Sequence, residues 1–161
     1  MPDLTQLTLF DALPAEPPTA APRSWRLALP APTKWLDANR RAKMHHMARA
    51  REVKAWRTLA WAKAREARLP KGLARVQITA TLWFTTNRHR DRENFYDAVK
   101  PVIDGLTVPR KAGGIGYGLI QDDTPQYLAP VVLEMKVGKP EGATPFGLLV
   151  LDIVEDKGGA A

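Results

Sequence analysis

Val76-Gln77-Ile78-Thr79-Ala80-Thr81-Leu82-Trp83-Phe84 alternates apolar and polar residues, the period-two pattern of a strand with one face on a core. Val76, Ile78, Ala80, Leu82 and Phe84 fall on the buried side. After Asn94 the period changes: Phe95, Val99, Val102, Ile103 and Leu106 recur at helical spacing. Glu93, Asp97, Lys100 and Asp104 would line the opposite face if one helix ran through all of them. Pro101 removes a backbone donor and disfavours a helical Lys100. The helix is therefore either kinked, or it begins near Asp97 with Pro101 in its first turn and Asp97 as its cap. Gly105 suits a close approach between elements or a helix end.

Working outward from this strand and helix, Trp25-Arg26-Leu27-Ala28-Leu29 reads as a short strand ending at Pro30. Residues from about Ala38 to Leu69 are rich in Ala, Arg, Lys, Met and Glu, good helix formers. They predict one long basic helix, or two joined near Met47, stopped by Pro70. Met44, Met47 and Ala48 can share one face, and Val53, Trp56, Ala60 and Ala64 another. Trp56, Trp61 and Met44 read as packing residues. Beyond the central helix, Pro109, Gly113, Gly114, Gly116 and Gly118 predict a flexible loop, with Arg110 and Lys111 making it basic. Val131–Val137 and Phe146–Val154 read as further strands. The expected fold is α+β: a small mixed sheet, a long basic N-terminal helix, and a second helix after the acidic motif. A Pro/Ala-rich arm over 1–24, a folded domain over 25–156 and a polar tail over 157–161 are expected, one domain being usual for 161 residues.

Charge is unevenly spread. Arg23 to Lys71 holds fourteen Lys and Arg against Asp37, Glu52 and Glu66, a net of +11, leaving −4 for the rest of a chain whose total is +7. Such segregation suits a polyanionic partner, most simply nucleic acid. With no cysteine, disulfides and thiolate-bound zinc are excluded. No stretch has the length and apolarity of a membrane span, and Met1-Pro2-Asp3-Leu4 lacks the flank of a secretory signal. The glycine loop lacks the spacing and Lys-Ser/Thr of a nucleotide-binding loop. A cytoplasmic protein is expected.

The chemistry concentrates between Arg88-His89-Arg90-Asp91-Arg92-Glu93-Asn94 and Gln121-Asp122-Asp123, with Lys100 and Asp104 between. Mg²⁺ takes oxygen ligands from one or two carboxylates and completes its shell with water and substrate phosphate. It lowers the pKa of a bound water and neutralises charge on a phosphoryl group in flight. A lysine alongside stabilises charge on the phosphoryl oxygens. Two separated carboxylate clusters with a lysine between them make that inventory.

These residues resemble the RusA family of Holliday junction resolvases over roughly residues 25–154. The family shows Arg before Asp-x-Asp-Asn, then Lys, then Asp-Gly/Ala-Leu, a glycine-containing loop and Asp-Asp. Here those are Arg90, Asp91, Glu93, Asn94, Lys100, Asp104-Gly105-Leu106 and Asp122-Asp123; Asn39-Arg40-Arg41 is similar to the family's N-terminal region. The resemblance implies a RusA-like fold with Asp91, Glu93 and Asp123 as ligands of Mg²⁺ (or Mn²⁺), and Lys100 as the phosphate-stabilising lysine. Asp122 is a further candidate ligand, and Asp104 and Asn94 are second-rank. It also implies hydrolysis leaving 5′-phosphate and 3′-hydroxyl ends, and a two-fold homodimer matched to a four-way DNA junction. Arg40, Arg41, Lys43, Arg88, Arg90, Arg92, Arg110 and Lys111 are the candidate DNA contacts. The chain departs from the pattern twice. Glu93 replaces an Asp, adding about 1.5 Å of reach, and the gap from Asn94 to Lys100 is longer, so Asp97 competes for the role of Lys100. Within the arm, Gln6-Leu7-Thr8-Leu9-Phe10 resembles the peptide that docks bacterial DNA-processing proteins on the sliding clamp, with Gln6, Leu7, Leu9 and Phe10 as contacts. Two alternatives stand beside the resolvase: a restriction-type nuclease using Asp123, Glu134 and Lys136, and a non-catalytic basic DNA-binding accessory tethered to the clamp.

Overall fold

The computed structural model describes residues 20–158. The Gln6–Phe10 peptide lies outside the described residues. The fold is α+β, with a four-stranded mixed sheet in the order β1-β4-β2-β3. The strands are β1 (Ser24–Pro30), β2 (Val76–Phe84), β3 (Val132–Val137) and β4 (Leu148–Glu155). β4 pairs antiparallel with both β1 and β2, whereas β2 and β3 run parallel. A parallel pair needs a long crossover, and residues 85–131 supply it. Both acidic clusters lie on that crossover, one leaving β2 and the other returning to β3.

One sheet face carries Leu27, Leu29, Ile78, Ala80, Leu82, Leu149, Leu151 and Ile153, all buried. The helices cover it. The opposite face carries Arg26, Thr79, Asp152, Glu134 and Lys136, as the period-two alternation requires. The basic helical region is two helices, α1 (Ala38–Lys43) and α2 (His46–Glu66). Met44 and His45 separate them with extended backbone. Trp56, Ala60 and Ala64 are buried at four-residue spacing and Val53 packs beside them. Met47, expected to join Met44 on a packed face, is 53% exposed because the break rotates it outward. α2 stops before Pro70 is reached. Arg68 takes a left-handed φ of 52°, and Arg68 and Leu69 N–H donate to Arg65 and Ala64 C=O, both at 3.1 Å. This paired closure satisfies the last carbonyls, with Arg where Gly is usual.

The central helix begins beside Asp97, as one of the two sequence alternatives expects, but Pro101 lies past its first turn. A 3-10 turn over Arg92–Phe95 leads directly into α3 (Tyr96–Leu106), with Pro101 inside it. Asp97 is in the first turn and is not the cap. Phe95, Val99, Val102, Ile103 and Leu106 are all buried, as their spacing predicts. Gly105 marks a close approach: a Cβ there would stand 2.5 Å from the Arg57 carbonyl oxygen and 2.9 Å from Ala60 Cβ. The glycine loop, expected to be flexible, is tied at its base. Tyr117 and Leu119 N–H donate to Gly105 and Leu106 C=O at 2.9 and 2.8 Å. Its tip closes in a turn with Gly113 at φ 77° and Gly114 N–H donating to Lys111 C=O.

Gly105→Ala is expected to cost about 1–3 kcal/mol, the usual range for overpacking a filled contact. The urea midpoint reads it; an unchanged midpoint would mean that α2 and α3 separate freely.

Candidate functional site

The site is built where α3, the loop before β3 and the glycine loop meet. Lys100, on the solvent side of α3, reaches across to Asp123 and forms an ion pair with its carboxylate. It also donates to Asp104 Oδ1 at 2.8 Å, one helical turn on. Asp104 Oδ2 lies 3.5 Å from Arg57 Nη2 of α2. Arg110 Nη2 lies 3.5 Å from Asp122 and 3.7 Å from Asp123. Asp122 turns its carboxylate back to accept from Asp123 N–H at 2.7 Å. Three cations and three carboxylates thus alternate across the junction of the three elements.

The Lys100 hydrogen bond holds the Asp123 carboxyl below its ordinary range, against a smaller opposing effect of burial. Burial acts against the Lys100 ammonium, but its bonds to Asp104 and Asp123 outweigh this and raise its pKa. Lys100 is therefore a fixed cation at neutral pH and unsuited to general-base work. It is suited to stabilising negative charge. Beside the pair, a groove of about 430 Å³ is lined by Tyr96, Asp97, Lys100, Asp123, Leu128 and Pro130.

Asp91 and Glu93 stand elsewhere. Asp91 opens the 3-10 turn, is 71% exposed and lies 3.4 Å from His89 Nε2. It lines a recess with Asn94, Asn39 and Arg88. Glu93 lines a neighbouring one with Arg92, Tyr96 and Lys136. Three residues of 3-10 turn and four of α-helix separate Glu93 from Lys100, about 12 Å along the axis. Among the described residues no three acidic or histidine side chains gather to hold one ion. The expected convergence of Asp91, Glu93 and Asp123 on one cation is therefore not met within a single chain. The 3-10 turn and the first turn of α3 lie between Glu93 and Lys100 and keep the two acidic clusters apart. The donor chemistry still fits Mg²⁺ or Mn²⁺, which need few protein ligands beside water and phosphate. Asp123 with the adjacent Asp122 is the pair best placed to hold such an ion, and Asp97 lines the same groove.

The basic residues divide. Arg40 donates to both Glu52 oxygens at 2.6 and 2.7 Å and also to Lys34 C=O, so it braces α1 on α2. Arg90 lies 4.0 Å over the Phe84 ring and donates to Thr86 and Arg88 C=O. Both guanidiniums, expected on DNA, are engaged inside the protein. Arg41 sits 3.8 Å from Asp97, while Lys43, Arg88, Arg92, Arg110 and Lys111 are exposed. Arg57, absent from the candidates chosen by motif, joins the network because α2 crosses α3 at Gly105. Its four-residue spacing from Trp61 and Val53 gives no functional signal. Glu134 and Lys136 lie on the open sheet face, with Glu134 3.5 Å from Thr81 Oγ1 and Lys136 5.5 Å from the Trp83 ring. α3 lies on the other side. Glu134 and Lys136 thus share one strand face, on the side of the sheet away from α3. No protein-family model matches the chain, and no curated protein matches it.

The pair also dictates a pH dependence. Asp123, with its pKa depressed, contributes stability above the ordinary 3.8 that is lost as pH falls through its folded value. Lys100, with its pKa raised, contributes below 10.5 and loses that contribution as pH rises through its folded value. In EDTA, Lys100→Met is expected to lose up to about 1 kcal/mol at pH 7, the scale of a partly exposed pair. That deficit should shrink below pH 3.8. Urea titrations at both pH values check it; an equal deficit at each would assign the loss to packing.

Proposed function

We propose that this chain is a Mg²⁺-dependent, structure-selective endodeoxyribonuclease of RusA type that cuts four-way DNA junctions in the cytoplasm as a homodimer. The observation that carries the reading is the meeting of Lys100 with Asp123, twenty-three residues apart in sequence, beside Asp122 and Arg110. The motif order Asp91, Asn94, Lys100, Asp104-Gly105-Leu106, Asp122-Asp123 and the basic first half of the chain support it further. In this reading Asp123 and Asp122 hold the divalent ion, which when bound supplies an activated water and charge neutralisation. Lys100 stabilises charge on the phosphoryl oxygens, exchanging its carboxylate partner for the scissile phosphate. Asp91 and Asn94 at the 3-10 turn contact the substrate or complete the site when DNA is bound.

A second reading is a basic DNA-binding accessory without catalysis. It is favoured by one observation, the separation of Asp91 and Glu93 from Asp123 within the chain. In both readings Gln6–Phe10 is proposed to tether the protein to a sliding clamp.

With a synthetic four-way junction and Mg²⁺, paired nicking is expected. Lys100→Ala and Asp123→Asn should each lower the rate on the order of 100-fold or more, while Glu134→Ala should leave it unchanged. Salt-sensitive binding with no cleavage in Mg²⁺ or Mn²⁺ would select the accessory reading. Replacing Leu9 and Phe10 by Ala should weaken clamp pull-down and leave junction binding intact; undiminished pull-down would remove the clamp assignment.

A further inference from the structure

Between α2, the end of α3 and the glycine loop lies a recess of about 300 Å³, lined by Arg57, Asp104, Arg110, Lys111 and Gly114 among others. Its charged lining is three cations and one carboxylate. That carboxylate, Asp104, is already taken up by Lys100 at 2.8 Å. Arg57 approaches Asp104 only to 3.5 Å, well beyond the 2.7–2.9 Å of a charge-assisted hydrogen bond. Its Nε is buried and has no hydrogen-bond partner among the described residues, an expensive condition for a guanidinium donor. Arg110 is 77% exposed and stands 3.5 and 3.7 Å from Asp122 and Asp123, again loosely held. Lys111 is exposed and makes no ion pair among the described residues. Two under-satisfied guanidiniums and an ammonium therefore converge on one opening, where a tight turn fixes the backbone between Lys111 and Gly114.

The geometry points to a binding site for one backbone phosphate of a DNA strand, held by Arg57, Arg110 and Lys111. A tetrahedral anion with several acceptor oxygens can take forked contacts from two guanidiniums at once, which a single carboxylate cannot. The recess adjoins the Lys100–Asp123 pair through Asp104, so this phosphate belongs to the strand that passes the pair. Occupancy draws Arg110 off Asp122 and Asp123 and leaves those carboxylates to the ion. The inference rests on the DNA-binding part of the proposed function and is independent of cleavage.

The test is fluorescence anisotropy of the full chain on a labelled four-way junction, in EDTA, across a salt series. Each phosphate contact contributes about 0.9 to the slope of log K against log salt. Arg57→Gln and Arg110→Ala should each reduce the slope by part of that amount, and Arg57→Lys should restore much of the Arg57→Gln loss. Because one phosphate is shared, the double variant should lose about one contact's worth, not two. Arg26→Ala, on the far sheet face, should change nothing. Arg110→Ala keeps the result readable should Arg57→Gln fail to fold, since Arg110 is exposed. Unchanged slopes, or a double variant losing two contacts, would overturn the site. So would the absence of junction binding, which would also remove both DNA readings, whereas altered slopes without Mg²⁺-dependent nicking would uphold the site and sink the nuclease. Calorimetry with inorganic phosphate is the other arm: phosphate binding lost in Arg57→Gln with junction slopes intact reassigns the recess to a free anion.

Discussion

The contact of α2 with α3 at Gly105 governs the chemistry available to this chain. With no side chain at Gly105 and only a methyl at Ala60, the two helices approach until a Cβ would meet the Arg57 carbonyl. Arg57 is carried on the same turn of α2, so the approach that buries the helix faces also delivers its guanidinium to Asp104. Asp104 in turn steadies Lys100 one turn earlier, and Lys100 reaches Asp123 on the returning loop. Wider spacing would detach α2 from this series, and the charges on α3 would face solvent without a second helix.

A second constraint fixes the other acidic cluster. Trp56, Trp35, Phe84 and Phe95 contact one another in succession, with ring centroids 5.3, 5.6 and 5.1 Å apart. They join α2, the loop before α1, the end of β2 and the 3-10 turn. Arg90 lies over Phe84 within this column. Such aromatic contacts contribute about 0.5–1.5 kcal/mol each beyond buried area, enough to set the direction in which the chain leaves β2. Asp91 and Glu93 are therefore held at the start of the helical run and Lys100 with Asp123 farther along it. The two acidic stations are separated by covalent and helical geometry, so rotamer changes alone do not merge them.

What was legible in the sequence follows from which signals are local. β2 and the buried side of α3 were written in their periods, because alternation and helical spacing are imposed by one dominant core face. Gly105 was legible as an anomaly, since a glycine amid helix formers needs a reason. A break in the basic helical run was one of the two sequence alternatives, but its place at Met44 and His45 and the closure at Arg68 were not legible, because they depend on backbone dihedrals that Met44 and Arg68 do not advertise. The continuous passage from 3-10 turn to α3 was hidden behind Pro101, whose local penalty is overridden by burial of Phe95, Val99 and Val102. For the site, pairing Lys100 with Asp104 follows from four-residue spacing, but the reach to Asp123 depends on how the loop returns. Arg40 and Arg90 show the converse limit. Charge alone suggested phosphate contacts, whereas their partners, Glu52 and Phe84, are set by tertiary packing.

The balance of charge in the network bears on how substrate could enter it. Arg57, Lys100 and Arg110 face Asp104, Asp122 and Asp123, so the cluster is near neutral and does not by itself attract a polyanion. In the proposed DNA-binding role, attraction at a distance has to come from exposed cations outside the network, such as Lys43, Arg88, Arg92 and Lys111, acting within the roughly 8–10 Å screening length of physiological salt. In the proposed phosphate-handling role, the internal pairs must yield when a phosphate arrives. Partly exposed pairs of this kind are worth about 0–1 kcal/mol each, less than a bidentate guanidinium–phosphate contact offers. A deeply buried network would resist such an exchange by several kcal/mol. The same partial exposure that makes these ion pairs weak contributors to stability leaves Lys100 and Arg110 free to change partners, and it is this exchange that a phosphate-handling site requires.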